Sequence, residues 1–247
     1  MQAQQEKREK YDKNQGKFIK HRFKVLLLFI LIIFPLSLGI YSLIGTTSYA
    51  FISMLFVILA TIPFLMIYEM KKPQAREWIP LAVMAALAAI GRVAFAPVPF
   101  FKPTSAIIII TASVFGPEAG FLTGAISALS SNLFFGQGPW TPWQMFSWGL
   151  IGFLSGYLIK KNIINNKRKL YIFGGLTGFI FGWIMNLWTA TGYIYDFSWS
   201  AFLGLYISSF VPDLIHSIST VVFLRFLYEP WRAKLKRVKV KFGLVNI

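Results

Sequence analysis

Apolar residues fall into eight runs, at 25–44, 49–68, 79–95, 104–115, 118–135, 143–159, 170–190 and 200–228, separated by short stretches rich in proline, glycine or basic residues. A helix rising about 1.5 Å per residue needs about 20 residues to cross a hydrocarbon layer about 30 Å thick, so this pattern predicts membrane-spanning helices. The run Thr104–Phe115 is too short for a straight crossing. It predicts a helix held inside a bundle, where neighbouring helices rather than lipid satisfy the backbone at its ends. The expected fold class is therefore an all-α integral membrane protein. Its parts are a polar tail at 1–24, an N-terminal transmembrane helix pair at 25–68, a six-helix core at 79–228 and a basic tail at 229–247.

Composition agrees: 56% of residues are hydrophobic, 17% aromatic and 14% charged, as in a chain solvated mostly by lipid. The tail 1–24 is too long and too charged for the n-region of a cleaved signal peptide. A formal net charge of +16 would suit a nucleic-acid partner. The cations, however, lie at the ends and between apolar runs, where they meet anionic headgroups, so no nucleic acid is expected. With the N-terminus inside, 22 of the 25 lysines and arginines fall in predicted cytoplasmic pieces, leaving Arg92, Lys102 and Arg225. That asymmetry predicts a multi-pass protein of the bacterial cytoplasmic membrane with both termini in the cytoplasm.

The sequence carries little that could break a covalent bond. It has no cysteine, no Walker sequence, no HExxH and no nucleophile elbow, and its histidines are His21 and His216. Of nine acidic residues only Asp213 lies clearly within a span, so no catalytic set, metal site, cofactor or proton-relay chain is expected.

What remains is a set of polar and aromatic residues near one side of the predicted membrane. Three outer loops are stiffened by proline or crowded with aromatic residues: 96–103 with Phe100, 136–142 with Trp140 followed by Trp143 and Gln144, and 191–199 with Tyr193. They read either as an interfacial aromatic belt or as walls of a ligand site. Asn132 continues a stripe of Gly120, Gly124 and Ala128, and Asn186 continues Gly174, Gly178 and Gly182; each stripe repeats every four residues and lies on one helix face. Such seams permit close helix contact, and each asparagine is either packing glue or a ligand contact. Arg92 lies toward the outer end of the third run. Asp213 and His216 lie one turn apart near the middle of the eighth, just past Pro212, which predicts a kink. An Arg92–Asp213 ion pair and a ligand-binding cluster are both open readings, and they are compatible.

The segment FFKPTSAIIIITASVFGPEAGFLTGAISALSSNLFFGQGPW, together with the alanines four apart at Ala82 and Ala86, resembles the substrate-binding S component of energy-coupling factor vitamin transporters. The resemblance covers residues 79–228, about 60% of the chain. It implies an S-component-like six-helix core that captures a vitamin from outside and has no ATPase activity of its own. It also implies partners: a membrane coupling subunit and two ATPases, docked on the face carrying Ala82 and Ala86, with the whole subunit toppling to deliver its ligand inward. The N-terminal pair at 25–68 departs from the family pattern. Amide-bearing and aromatic candidates (Asn132, Gln144, Asn186 and the tryptophans) suggest cobalamin or a related corrinoid first and riboflavin second. A membrane scaffold is the rival class, in which the polar residues would scatter.

Overall fold

The computed structural model describes residues 75–193 and 198–244, together with positions 57–59, 61, 62, 64–66 and 68. The tail at 1–24 and most of the pair at 25–68 lie outside the described residues. Every regular element among the described residues is an α-helix. These are α1 (Ala75–Ala94), α2 (Thr104–Phe115), α3 (Pro117–Phe135), α4 (Thr141–Lys160), α5 (Lys167–Tyr193), α6 (Trp199–Ser208) and α7 (Phe210–Lys241). Three stretches are long and apolar enough to cross a membrane: Ala75–Ala94, Lys167–Thr191 and the run Trp199–Lys241.

The short helix α2 is the hub. It packs against α1, α3, α4, α5 and α7, and all its residues except Ser113 are buried. A helix apolar all round has no face for solvent, which is why TSAIIIITASVF occupies the centre. It turns directly into α3 through Gly116 at φ 97°, a left-handed conformation that glycine adopts without strain, followed by Pro117 at the first helical position.

Two glycine seams set the remaining packing. A Cβ on Gly120 would strike the backbone of Gly152 and the Ala112 side chain, and one on Gly124 would strike the backbone of Trp148 and Gly149. Helices α3 and α4 therefore touch along their backbones. On the other side Gly174 faces Leu224, Gly178 faces Ser217 and Gly182 faces the Asp213 carboxylate, which brings α5 against α7. Both stripes read from the sequence are thus helix-packing seams. The partner stripe on α4 (Gly149, Gly152 and Gly156, the last against Pro117) is as important and was not read.

The eighth apolar run breaks at Ser209, three residues before Pro212, whose missing N–H leaves the Ser208 carbonyl without its helical donor one turn back. The interruption expected from Pro212 is present and divides the run into α6 and α7, with Asp213 in the first turn of α7. One boundary needs correction: the last helix does not end near residue 228. Helix α7 runs on to Lys241, with Trp231 and Leu235 packed on Met84, Ala88 and Ile107, and Leu244 buried beside Leu81 and Phe115. Lys239 anchors it by donating to the Val114 carbonyl at 2.9 Å. Before α1, Phe64 stacks on Phe121 with centroids 4.1 Å apart and Tyr68 meets Trp78 edge-on at 4.8 Å.

Candidate functional site

At the end of the bundle where α1, α3 and α4 carry the 95–103 and 136–140 connections, a buried polar network joins all three helices. Arg92, on the last turn of α1, donates through Nη1 to Ser131 Oγ at 2.6 Å and to Asn132 Oδ1 at 2.7 Å. The Asn132 amide nitrogen donates to Thr141 Oγ1 at 3.0 Å and to Gln144 Oε1 at 2.8 Å. This orientation of the carboxamide follows from the guanidinium, which can only donate and so must meet the oxygen. Thr141 in turn accepts from the Gly138 backbone at 3.2 Å and donates to Gln137 at 3.0 Å, which ties the connection between α3 and α4 to the same network.

The guanidinium of Arg92 lies 4.7 Å from the Phe135 ring centroid and 5.0 Å from that of Trp148. Through Trp148 the network reaches α7. The indole donates to Ser105 Oγ at 3.2 Å, and Ser105 Oγ also shares a 2.9 Å hydrogen bond with His216 Nε2. The His216 ring stands edge-on to Phe181 at 5.2 Å, and Phe181 packs on Trp148 at 4.4 Å. Lys102 is held by both of its backbone groups: its N–H donates to Ser219 Oγ at 2.7 Å, and that hydroxyl donates to the Lys102 carbonyl at 2.8 Å. Its ammonium lies 5.7 Å from the centroid of Phe135, the ring that Arg92 also faces. Burial, and then the neighbouring Arg92 guanidinium, lower the Lys102 ammonium to about 8 from its ordinary range near 10.5.

A second group lies where α5 meets the α6–α7 junction. Asn186 donates to Ser209 Oγ at 2.7 Å, and Ser209 Oγ donates to Asp213 at 3.1 Å. Asp213 is 5% exposed and has no cationic partner among the described residues. The Arg92–Asp213 pair therefore does not form: Arg92 spends its bonds on α3.

The structure thus joins Arg92, Asn132 and Gln144 directly and His216 through Trp148 and Ser105, while Asn186 and Asp213 form a separate group with Ser209. Trp140 caps α4 with its ring against Gly138, and Trp143 is almost wholly buried one turn before Phe146 and Ser147. Phe100, at φ 61°, is 48% exposed and stays out of the network. The Tyr193 side chain lies outside the described residues. Sequence reading missed Lys102, Ser105, Ser131, Thr141, Trp148 and Ser209. Lys102 alone left a signal, as the lone base in a predicted outer loop. Beside Thr141 lies an apolar cleft of about 650 Å³, which Ile62, Leu65 and Pro139 also line. Ala82 and Ala86 are exposed on α1 beside Ile79, Val83 and Ile90.

Comparison with known proteins places this architecture. The family model for the S component of ECF-type riboflavin transporters matches residues 74–230. A UPF0397 protein of Aliivibrio fischeri strain MJ11 is 33% identical over 122 residues, covering 44% of this chain and 66% of the relative. A UPF0397 protein of Aliivibrio salmonicida is 32% identical over 110 residues (40% of this chain, 60% of the relative), and one of Vibrio atlanticus 36% over 87 residues (33% and 47%). The chain therefore spans less than two thirds of the length of the curated relatives it matches. No solved structure matches it.

Proposed function

Since the chain belongs to the family of S components of ECF-type riboflavin transporters, a family of transport-binding subunits rather than enzymes, we propose that it captures one vitamin at the outer face of the cell membrane. The observation that carries this reading is the Arg92–Asn132–Gln144 network. Polar side chains from three helices converge at one end of the bundle, buried or half-buried, around a guanidinium that no carboxylate among the described residues neutralises. A packing role alone would not call for a charge there, because removing an unpaired charge from an apolar interior stabilises it. The family's name puts riboflavin ahead of the corrinoid favoured by the loop composition. Trp148, Phe135 and Trp140 supply flat surfaces suited to an isoalloxazine ring.

Energy would come from partner ATPases through a membrane coupling subunit docked on Ala82 and Ala86, with both termini of the chain in the cytoplasm. The exposure of both alanines, flanked by apolar neighbours on a face the core does not use, supports that contact. The capture reading is tested by purifying the chain from cells grown in rich medium, denaturing it and identifying any released vitamin by mass and absorbance. A stoichiometric flavin or corrinoid is the expected result. An empty protein that gives no heat with a vitamin panel would sink the capture reading and bring a scaffold role forward.

A further inference from the structure

Charge balance at the network shows what its ligand must bring. Arg92 is 7% exposed, and both acceptors it uses, Ser131 Oγ and Asn132 Oδ1, are neutral. Its Nε–H is buried and has no acceptor among the described residues. The Lys102 ammonium makes no hydrogen bond or ion pair among the described residues, although its backbone is pinned to Ser219, so its position is set by the fold rather than by a partner. Both cations face one ring, Phe135, which is 42% exposed.

Described acids lie elsewhere. Glu77 is in the first turn of α1, fifteen residues before Arg92 and thus roughly 22 Å down the axis, and Glu118 is at the equally distant start of α3. Asp213 is engaged by Ser209, and Glu229 pairs with Lys167 at 3.3 Å. Two neighbouring cations, one deeply buried, with only neutral partners and one unanswered N–H among the described residues, are costly unless an anion completes them.

We propose that the captured ligand carries an oxyanion, a phosphate or carboxylate, which Arg92 and Lys102 bind across the Phe135 ring. This rests on the capture reading above and narrows it: the two side chains become specificity-determining contacts, and the unanswered Nε–H becomes the second donor of a bidentate clamp. Arg92 is too buried for a bilayer headgroup to serve as well as a ligand that enters the bundle, although the phosphate chemistry is shared.

The test compares riboflavin with its 5′-phosphate, two ligands that differ only in the oxyanion, by flavin fluorescence quenching on the full chain in neutral detergent at low, matched ionic strength. The phosphate ester should bind at least about 10-fold more tightly. That ratio should fall toward one in Lys102→Gln, which keeps length and polarity but not charge, and persist in Lys102→Arg. Equal or tighter binding of riboflavin, or a ratio indifferent to Lys102→Gln, overturns the proposal. If neither flavin binds, the flavin assignment fails by itself, and inorganic phosphate against chloride becomes the probe. A rise in melting temperature for the wild type that Lys102→Gln lacks supports the proposal, and no rise overturns it. Displacement of the phosphate ester by micelles containing phosphatidylglycerol, with no response to free phosphate, would assign the anion to lipid and also overturn it.

Discussion

Asn132 offers the sharpest test of whether Arg92 is held without a counter-charge. Asn132→Asp changes one nitrogen to oxygen and leaves the shape intact. The carboxylate takes the place of Oδ1, 2.7 Å from the guanidinium, turning a neutral acceptor into an ionic one. Such charge-assisted bonds contribute about 1.5–3 kcal/mol where neutral ones contribute about 1. On its other side the aspartate no longer donates to Thr141 or Gln144. Gln144 can turn its amide to donate instead, so one bond of about 1 kcal/mol is lost. The net change is within about 1.5 kcal/mol of zero, with a bias toward stabilisation. Asn132→Leu removes three bonds at once: the buried guanidinium keeps only Ser131, Thr141 keeps only Gly138 and Gln137, and Gln144 Oε1 is left unanswered, which together costs about 3–5 kcal/mol. For a chain of this size that is a fall of roughly 6–20 °C in melting temperature. With no cysteine and eight tryptophans, melting is best followed by intrinsic fluorescence. Equal losses in the two variants would refute the account, since they would mean that the added charge meets no cation.

Three further outcomes follow from the geometry. Ala82→Trp with Ala86→Trp should leave ligand binding and melting unchanged, because both side chains are exposed, while abolishing uptake in cells that carry the coupling module; loss of binding too would make the face ordinary packing. Gly152→Leu should destabilise by about 1–3 kcal/mol or prevent accumulation of folded protein, because a Cβ there meets the Gly120 carbonyl and Ile108; Gly204→Ala, with open space around its Cβ, should be neutral or slightly stabilising, and indifference at both sites would refute the seam. The depressed Lys102 ammonium binds its proton less tightly folded than unfolded, so melting temperature should climb between about pH 8 and about pH 10.5, a slope that Lys102→Gln removes; a slope surviving that change would place its origin elsewhere.

Helix positions were legible because they follow from local chemistry. The apolar runs at 104–115 and 118–135 coincide with α2 and α3 to within a residue, and GPE marks the turn between them. Glycines four apart predicted smooth faces, since every fourth residue shares a side of a helix. The family resemblance over 79–228 lies within the matched stretch 74–230 for the same reason: order and spacing are properties of the chain. The interruption at Ser209 was signalled by Pro212, but the contact that closes the junction was not: the Ser209 hydroxyl meets Asn186 from another helix, 23 residues away.

Which side chain meets which across the bundle was decided only by the tertiary structure. Sequence reading offered Asp213 to Arg92, because a buried guanidinium needs a partner and an acid is the obvious one. Partner choice depends on how α1, α3 and α7 are rotated and how deeply they interlock. The Gly120–Gly152 contact sets the first of these seams and the Gly178–Ser217 contact the second. Those close approaches turn Asn132 and Ser131 toward Arg92 and leave Asp213 lying over Gly182. The sequence by itself determined the membrane-bound helical class, the family and the seams. That Arg92 and Lys102 meet no counter-charge among the described residues emerged only once residues 39 to 117 positions apart were brought within hydrogen-bonding distance, because a charge is unpaired only with respect to neighbours the fold supplies.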